Sequence, residues 1–144
     1  MPIKVADYKK ALKPKRKNNN HEDKVTNAVC TFLRAKYPNV VFYTDVIGMK
    51  LPPYLAIKLS KQRSDDKIPD LFIATPKGKY HGLFIEIKKD KEAIYRKDGH
   101  TLKKNAHVEA QLATLLKLRE QGYYAVFGCG VDECIKVIDK YMRL

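Results

Sequence analysis

Asp70 and the triplet Glu86-Ile87-Lys88 each stand at one end of a short apolar run. Pro69-Asp70 opens Leu71-Phe72-Ile73-Ala74, and Gly82-Leu83-Phe84-Ile85 closes on Glu-Ile-Lys. Runs of this length, built from branched and aromatic residues, predict buried strands. Paired side by side, two such strands bring the two carboxylates together. With the carbonyl of Ile87 they make a hard, all-oxygen donor set of the kind that holds Mg²⁺ or Mn²⁺. Side chains alternate along a strand, so Glu86 and Lys88 share a face and an ammonium lies beside the metal site. That grouping can seat a phosphate and the water that attacks it. The chain carries 29 Lys and Arg against 16 Asp and Glu, a net +13, so the expected phosphate is that of a nucleic acid.

The elements that must hold these residues follow from periodicity and turn chemistry. A helix is expected from Asn20 as N-cap, with Glu22 and Asp23 in a first turn that favours acids. Val25, Ala28, Val29, Phe32 and Leu33 keep its apolar stripe, and Pro38-Asn39 ends it. Val40–Thr44 reads as a strand. Residues 46–67 are irregular and basic, with a short helix over Tyr54–Gln62. Pro76-Lys77-Gly78-Lys79 turns the chain between the two motif strands. Residues 89–104 read as a second loop with seven basic residues, six Lys and Arg and His100, against three acidic ones. A long helix spans Ala106–Gln121, between Asn105 and the C-cap Gly122. Tyr123–Gly128 is a fourth strand, and Asp132 caps a last helix. The order is α-β-β-β-α-β-α, a single α/β domain over residues 20–144. Residues 1–19 form a basic arm, with Lys4, Lys9, Lys10, Lys13, Lys15, Arg16 and Lys17 against Asp7 alone, which leaves +6.

This order, with these residues in it, resembles the PD-(D/E)XK nuclease superfamily, and within it the virus-type replication-repair nuclease (VRR-NUC) domain. The resemblance is carried by Ile68-Pro69-Asp70-Leu71, Gly82–Lys88 and Gln111, followed by Leu115, Leu118 and Gly122, and it covers about residues 20–140. It implies a restriction-endonuclease-like αβββαβ core with a central mixed four-stranded sheet flanked by helices. It also implies catalytic roles for Asp70, Glu86, Lys88 and Gln111, and metal contacts from Asp70, Glu86, the Ile87 carbonyl and Glu22. For Glu22, a first-turn acid that complements the helix dipole is an equally good reading; Asp45 is a weaker candidate of the same kind. Lys15, Arg16 and Lys17 on the arm and Lys89, Lys103 and Lys104 after the Glu-x-Lys are expected to meet the nucleic-acid backbone. One departure stands out: the family often has glycine before its Pro-Asp, where this chain has Asp66-Lys67-Ile68.

The activity the resemblance implies is metal-dependent hydrolysis of DNA phosphodiesters, leaving a 5′-phosphate and a 3′-hydroxyl. It further implies a homodimer selective for branched DNA, in the manner of Holliday-junction resolvases, acting in replication, recombination or repair. The alternative is a non-catalytic nucleic-acid-binding module with a nuclease-like fold, against which the complete set of Asp70, Glu86 and Lys88 argues. Pro52–Ile57, apolar and aromatic, reads either as a dimer surface or as a loop folded over its own core.

Several classes are disfavoured. Cys30, Cys129 and Cys134 are odd in number and lack CxxC pairs, so they read as reduced thiols in a cytoplasmic setting, that of a virus- or phage-encoded protein included. His21, His81, His100 and His107 have no metal-ligand spacing. No Gly-rich P-loop is present, so no nucleotide cofactor is expected. The start, Met1-Pro2-Ile3-Lys4, does not resemble a secretory signal, and no apolar run approaches the roughly 18 residues a membrane span needs.

Overall fold

The computed structural model describes residues 21–45 and 50–144. The expected cap Asn20 and the basic arm lie outside the described residues. Helix α1 (His21–Lys36) leads into strand β1 (Phe42–Thr44), helix α2 (Pro53–Lys61), and strands β2 (Leu71–Ile73) and β3 (Leu83–Lys88). A 3₁₀ turn (Lys91–Ala93), helix α3 (Ala106–Glu120), strand β4 (Tyr124–Cys129) and helix α4 (Val131–Met142) complete the order. The sheet runs β1-β2-β3-β4, with β1–β2 and β2–β3 antiparallel and β3–β4 parallel. This is the mixed four-stranded α/β core that the sequence predicts.

Alternation along the strands gives the sheet two unlike faces. Leu71 and Ile73 of β2 and Leu83, Ile85 and Ile87 of β3 form one core with Val25, Val29 and Leu33 of α1 and Cys134, Ile138 and Tyr141 of α4. Fully burying each such aliphatic side chain is worth roughly 1.5–3 kcal/mol, so this face carries most of the stability. The opposite face holds Phe72, Phe84, Glu86 and Lys88, and α3 covers its polar half. Phe72 stacks on Phe84 with ring centroids 4.4 Å apart, and Tyr123 meets Phe84 edge-on at 5.2 Å.

Two glycines let the elements approach. Gly122, with φ +91°, turns the chain out of α3 and stands just beyond the terminal Gln121. At Gly128 a Cβ would lie 2.5 Å from Cys134 Sγ, so only glycine lets α4 close on β4 there.

Some expectations need correcting. Asp132 does not cap α4: it lies in the first turn beside Glu133, and Gly130 (φ +85°) is the boundary residue. Glu133 Oε1 instead accepts a hydrogen bond from Cys129 N, 3.2 Å away. The Pro52–Ile57 stretch is not a loop folded over the core. It forms the start of α2, which buries no residue and leaves Tyr54 69% and Ile57 57% exposed. Residues 89–104 are not plain loop either, since they contain the 3₁₀ turn and an antiparallel bridge between Tyr95 and Leu102.

Candidate active site

Register explains why Asp70 and Glu86 meet. Leu71 pairs with Ile85, so the residues just outside that pair, Asp70 and Glu86, lie opposite each other where β2 enters and β3 leaves the sheet. Asp70 shares the sheet face of Phe72, and Glu86 and Lys88 share that of Phe84, so all three charged residues point to the α3 side. On α3, Val108, Gln111, Thr114 and Leu115 form the inward stripe, which brings Gln111 over Glu86.

The contacts are specific. Ile87 N–H donates to Asp70 Oδ2 at 2.8 Å. Gln111 Nε2 donates to Glu86 Oε1 at 2.5 Å, and Lys88 Nζ lies 3.6 Å from the same oxygen. Glu86, Lys88 and Gln111 are all buried, at 4%, 7% and 6% exposure. Among the described residues, Gln111 Oε1 is buried with no hydrogen-bond partner. Buried acceptors of this kind are uncommon and mark a place where a further donor belongs. Successive strand residues address alternate neighbours, and Lys88 C=O accepts from Gly130 N on the β4 side at 2.8 Å. The Ile87 carbonyl therefore faces the β2 side, as its N–H does, at the edge where Asp70 stands.

Burial sets the electrostatics. It raises Glu86 to about 8, and the neighbouring Asp70 charge adds to that while Lys88 opposes it. Burial likewise raises Asp70 to about 6, against the lowering effects of the Ile87 N–H and Lys88, and Glu22 contributes a further rise. Two carboxylates forced together away from water hold their charges poorly, and one ammonium does not compensate them.

These residues line one open cleft of about 380 Å³, together with Glu22. Its rim carries residues that sequence reasoning did not assign. His107 lies one turn before Gln111, a spacing that could have flagged it. Arg63, whose guanidinium meets Asp45 through contacts of 2.7 and 3.0 Å, comes from the irregular segment after α2, where no periodicity points. The Asp66-Lys67 segment, where the family glycine is absent, is fixed to α3: Thr114 Oγ1 accepts from Lys67 N at 3.0 Å, and Lys117 pairs with Asp66 at 3.2 Å.

No protein-family model and no curated protein matches the chain. A solved structure described as a VRR_NUC domain protein does match, at 28% identity over 86% of this chain and 89% of that one, with a TM-score of 0.57. The fold is VRR-NUC-like. That neighbour makes it a nuclease fold, and a restriction-endonuclease-like core fits the observed sheet and helices.

Asp70, Glu86, Lys88, Gln111, Glu22 and the Ile87 backbone thus converge on one end of the sheet. Among the described residues no group of three or more His, Cys, Asp and Glu side chains is gathered closely enough to hold a metal by side chains alone. Lys89 does not line this cleft; it borders a separate hollow with His21, Lys24 and Asp90. Lys103 Nζ donates to the Glu92 carbonyl, and Lys104 is exposed. Lys15, Arg16 and Lys17 lie outside the described residues.

Proposed function

We propose that the protein is a metal-dependent endonuclease that hydrolyses phosphodiester bonds in DNA. The observation that carries this reading is the pairing of half-buried Asp70 with buried Glu86, closed over by Lys88 and Gln111, on a fold shared with a VRR-NUC domain. The donor set suits Mg²⁺ or Mn²⁺: all oxygen, two carboxylates and a carbonyl, in a cleft open enough to leave water on the ion. When bound, such an ion polarises the phosphate and makes its water more acidic.

Each residue has a task that its contacts support. Asp70, oriented through Oδ2 by the Ile87 N–H, would hold the cation together with Glu86 and the Ile87 carbonyl. Gln111 anchors Glu86 through Oε1 in the same way, and its unpaired Oε1 is an acceptor for a proton of the attacking water. Lys88 Nζ, beside Glu86, orients that water and donates to the charge that builds on the phosphoryl oxygens. Glu22 reaches the site from α1 directly or through water.

At the finer level, we infer a homodimer that prefers branched DNA, four-way junctions above all, working inside the cell. The exposed apolar face of α2 supports the dimer, and free thiols at Cys30, Cys129 and Cys134 are in keeping with a reducing compartment. Among the described residues no helix is long and apolar enough to cross a membrane. Cleavage of linear and branched DNA is to be measured with Mg²⁺, with Mn²⁺ and with chelator. Activity should need the cation and disappear in Asp70→Asn and Glu86→Gln while DNA binding persists. Full cleavage by Asp70→Asn, with contamination excluded, overturns the assignment and leaves the binding-module reading.

A further inference from the structure

Between Lys88 and Asn105 the chain builds a small cationic finger. A 3₁₀ turn at Lys91–Ala93, capped by Asp90 Oδ1 on Ala93 N at 3.1 Å, leads into a short antiparallel ribbon. Lys103 N donates to Ile94 C=O at 2.8 Å and Arg96 N to Thr101 C=O at 2.7 Å, on either side of the Tyr95–Leu102 bridge. Its tip is a turn from Arg96 to Gly99, with Gly99 N on Arg96 C=O at 2.9 Å and Gly99 at φ +77°. Asp98 Oδ1 accepts from His100 N at 3.0 Å and Thr101 N at 2.8 Å, which fixes the return limb.

The base is anchored and the tip is free. Ile94 is fully buried with Val108 of α3 and Cys129 of β4, and Tyr95, Leu102 and Phe127 pack around them. Residues 96–101 are all exposed. The ribbon therefore stands as a braced projection beside the cleft: it leaves β3 just after Lys88 and re-enters the fold at Asn105, just ahead of His107.

We infer that this finger is a duplex reader, its Arg96–Lys97 tip seated in a groove of double-stranded DNA that flanks the cleft. The inference rests on the nucleic-acid reading of the site. Two observations favour duplex over single strand, and a third fits a phosphate backbone of either kind. A two-stranded ribbon has the cross-section that a major groove admits. The tip, residues 96–101, offers cations and hydrogen-bond donors and contains no Phe, Tyr or Trp, whose faces single-strand binders use for base stacking; Tyr95 lies below it, half-buried, on the wall of the hollow at the base. Arg96, Lys97, Lys91 and Lys103, with Tyr95 and a single acid, Glu92, line one hollow of about 610 Å³, a concave surface of net positive charge that suits a phosphate backbone.

The test is fluorescence anisotropy of the full chain in chelator, so that binding is read whether or not the protein cleaves. The ligands are a linear duplex and one of its strands alone. The variants are Arg96→Ala/Lys97→Ala and, as a charge-matched comparison at the far end of β3, Lys77→Ala/Lys79→Ala. The tip variant should lose roughly tenfold in duplex affinity, with a plot of log K against log salt shallower by about 2, or about 0.9 for each phosphate released. Its affinity for the single strand should stay within about twofold of the parent at the same salt, and the comparison variant should keep the parent's salt slope. Equal losses by the tip variant on duplex and single strand, or equal duplex losses by the two variants, would overturn the finger's role. A nuclease that cleaves normally but shows either result keeps its proposed function and loses only the duplex reader. A protein that never cleaves but shows the tip effect does the reverse.

Discussion

Glu86 and Asp70 are held in a state that the fold alone does not favour. Their ordinary values are 4.5 and 3.8, and burial raises them to about 8 and about 6 in the folded chain. Because the folded state binds these protons more tightly than the unfolded one, the pair contributes stability at low pH that is lost as pH rises through about 6 and then about 8. Thermal melts in chelator should therefore show this pair's contribution falling between pH 5 and pH 8, and added Mg²⁺ should restore most stability at the upper end. Glu86→Gln keeps an acceptor for Gln111 and removes the buried charge. It should raise the stability of the metal-free protein at pH 8 by on the order of 1–3 kcal/mol while abolishing cleavage. A Glu86→Gln protein that melts lower than the parent in chelator would show that the carboxylate is not strained. Lys88 differs, since in the proposed reaction it would act on the attacking water and the phosphate. Lys88→Ala should cut turnover by about 10²–10³, as loss of one well-placed donor does, and leave the Mg²⁺ concentration for half-maximal rate nearly unchanged.

At the level of elements, the cap of α3 has a consequence for the site. Asn105 Oδ1 accepts from His107 N at 2.9 Å and Val108 N at 3.3 Å, at the junction between the finger and the helix that carries Gln111. Asn105→Ala should cost about 1 kcal/mol in urea denaturation, and Asn105→Asp should retain most of it. This cap was legible in the sequence because asparagine before an apolar helical stripe has one economical explanation. So were the strands of Asp70 and Glu86, where apolar runs end on charges, and their side-by-side pairing. Gln111 was legible from its place on the inward stripe. The cap of α4 was not: Asp132 has the right side chain, but Gly130 takes the positive φ that the tight β4–α4 turn requires, and the aspartate falls two residues too late. The finger was hidden because its bracing is a single buried Ile94 and a bridge of one pair, too short for any period. Arg63 joins the cleft through a tertiary ion pair with Asp45 that no local pattern announces. Residues placed by periodicity or by consecutive apolar strands could be read, and residues placed by isolated tertiary contacts could not.

At the scale of the whole molecule, the proposed preference for branched DNA requires that one compact site serve a two-stranded cut. A single cleft addresses one strand, and symmetric cleavage of a four-way junction needs two cuts related by a two-fold axis. A dimer of two-fold symmetry, the commonest closed oligomer, supplies that relation. Among the described residues there are exposed apolar side chains that could serve it: α2 buries nothing and leaves Tyr54 and Ile57 more than half exposed, and at strand β1 and just before it Tyr43 is 60% and Val41 71% exposed. Exposed aromatic and aliphatic side chains gathered on one short helix are a feature of interaction surfaces. Light scattering should give twice the monomer mass, and Tyr54→Glu/Ile57→Glu should shift it to the monomer. Both residues are exposed, so that variant should keep its melting temperature in dilute solution apart from the loss of association. The dimer should cut four-way junctions in paired, symmetric positions, and the monomeric variant should leave single nicks. A parent protein that is monomeric at working concentration and cuts linear and branched DNA at equal rates would remove the two-fold model and leave a simple nuclease.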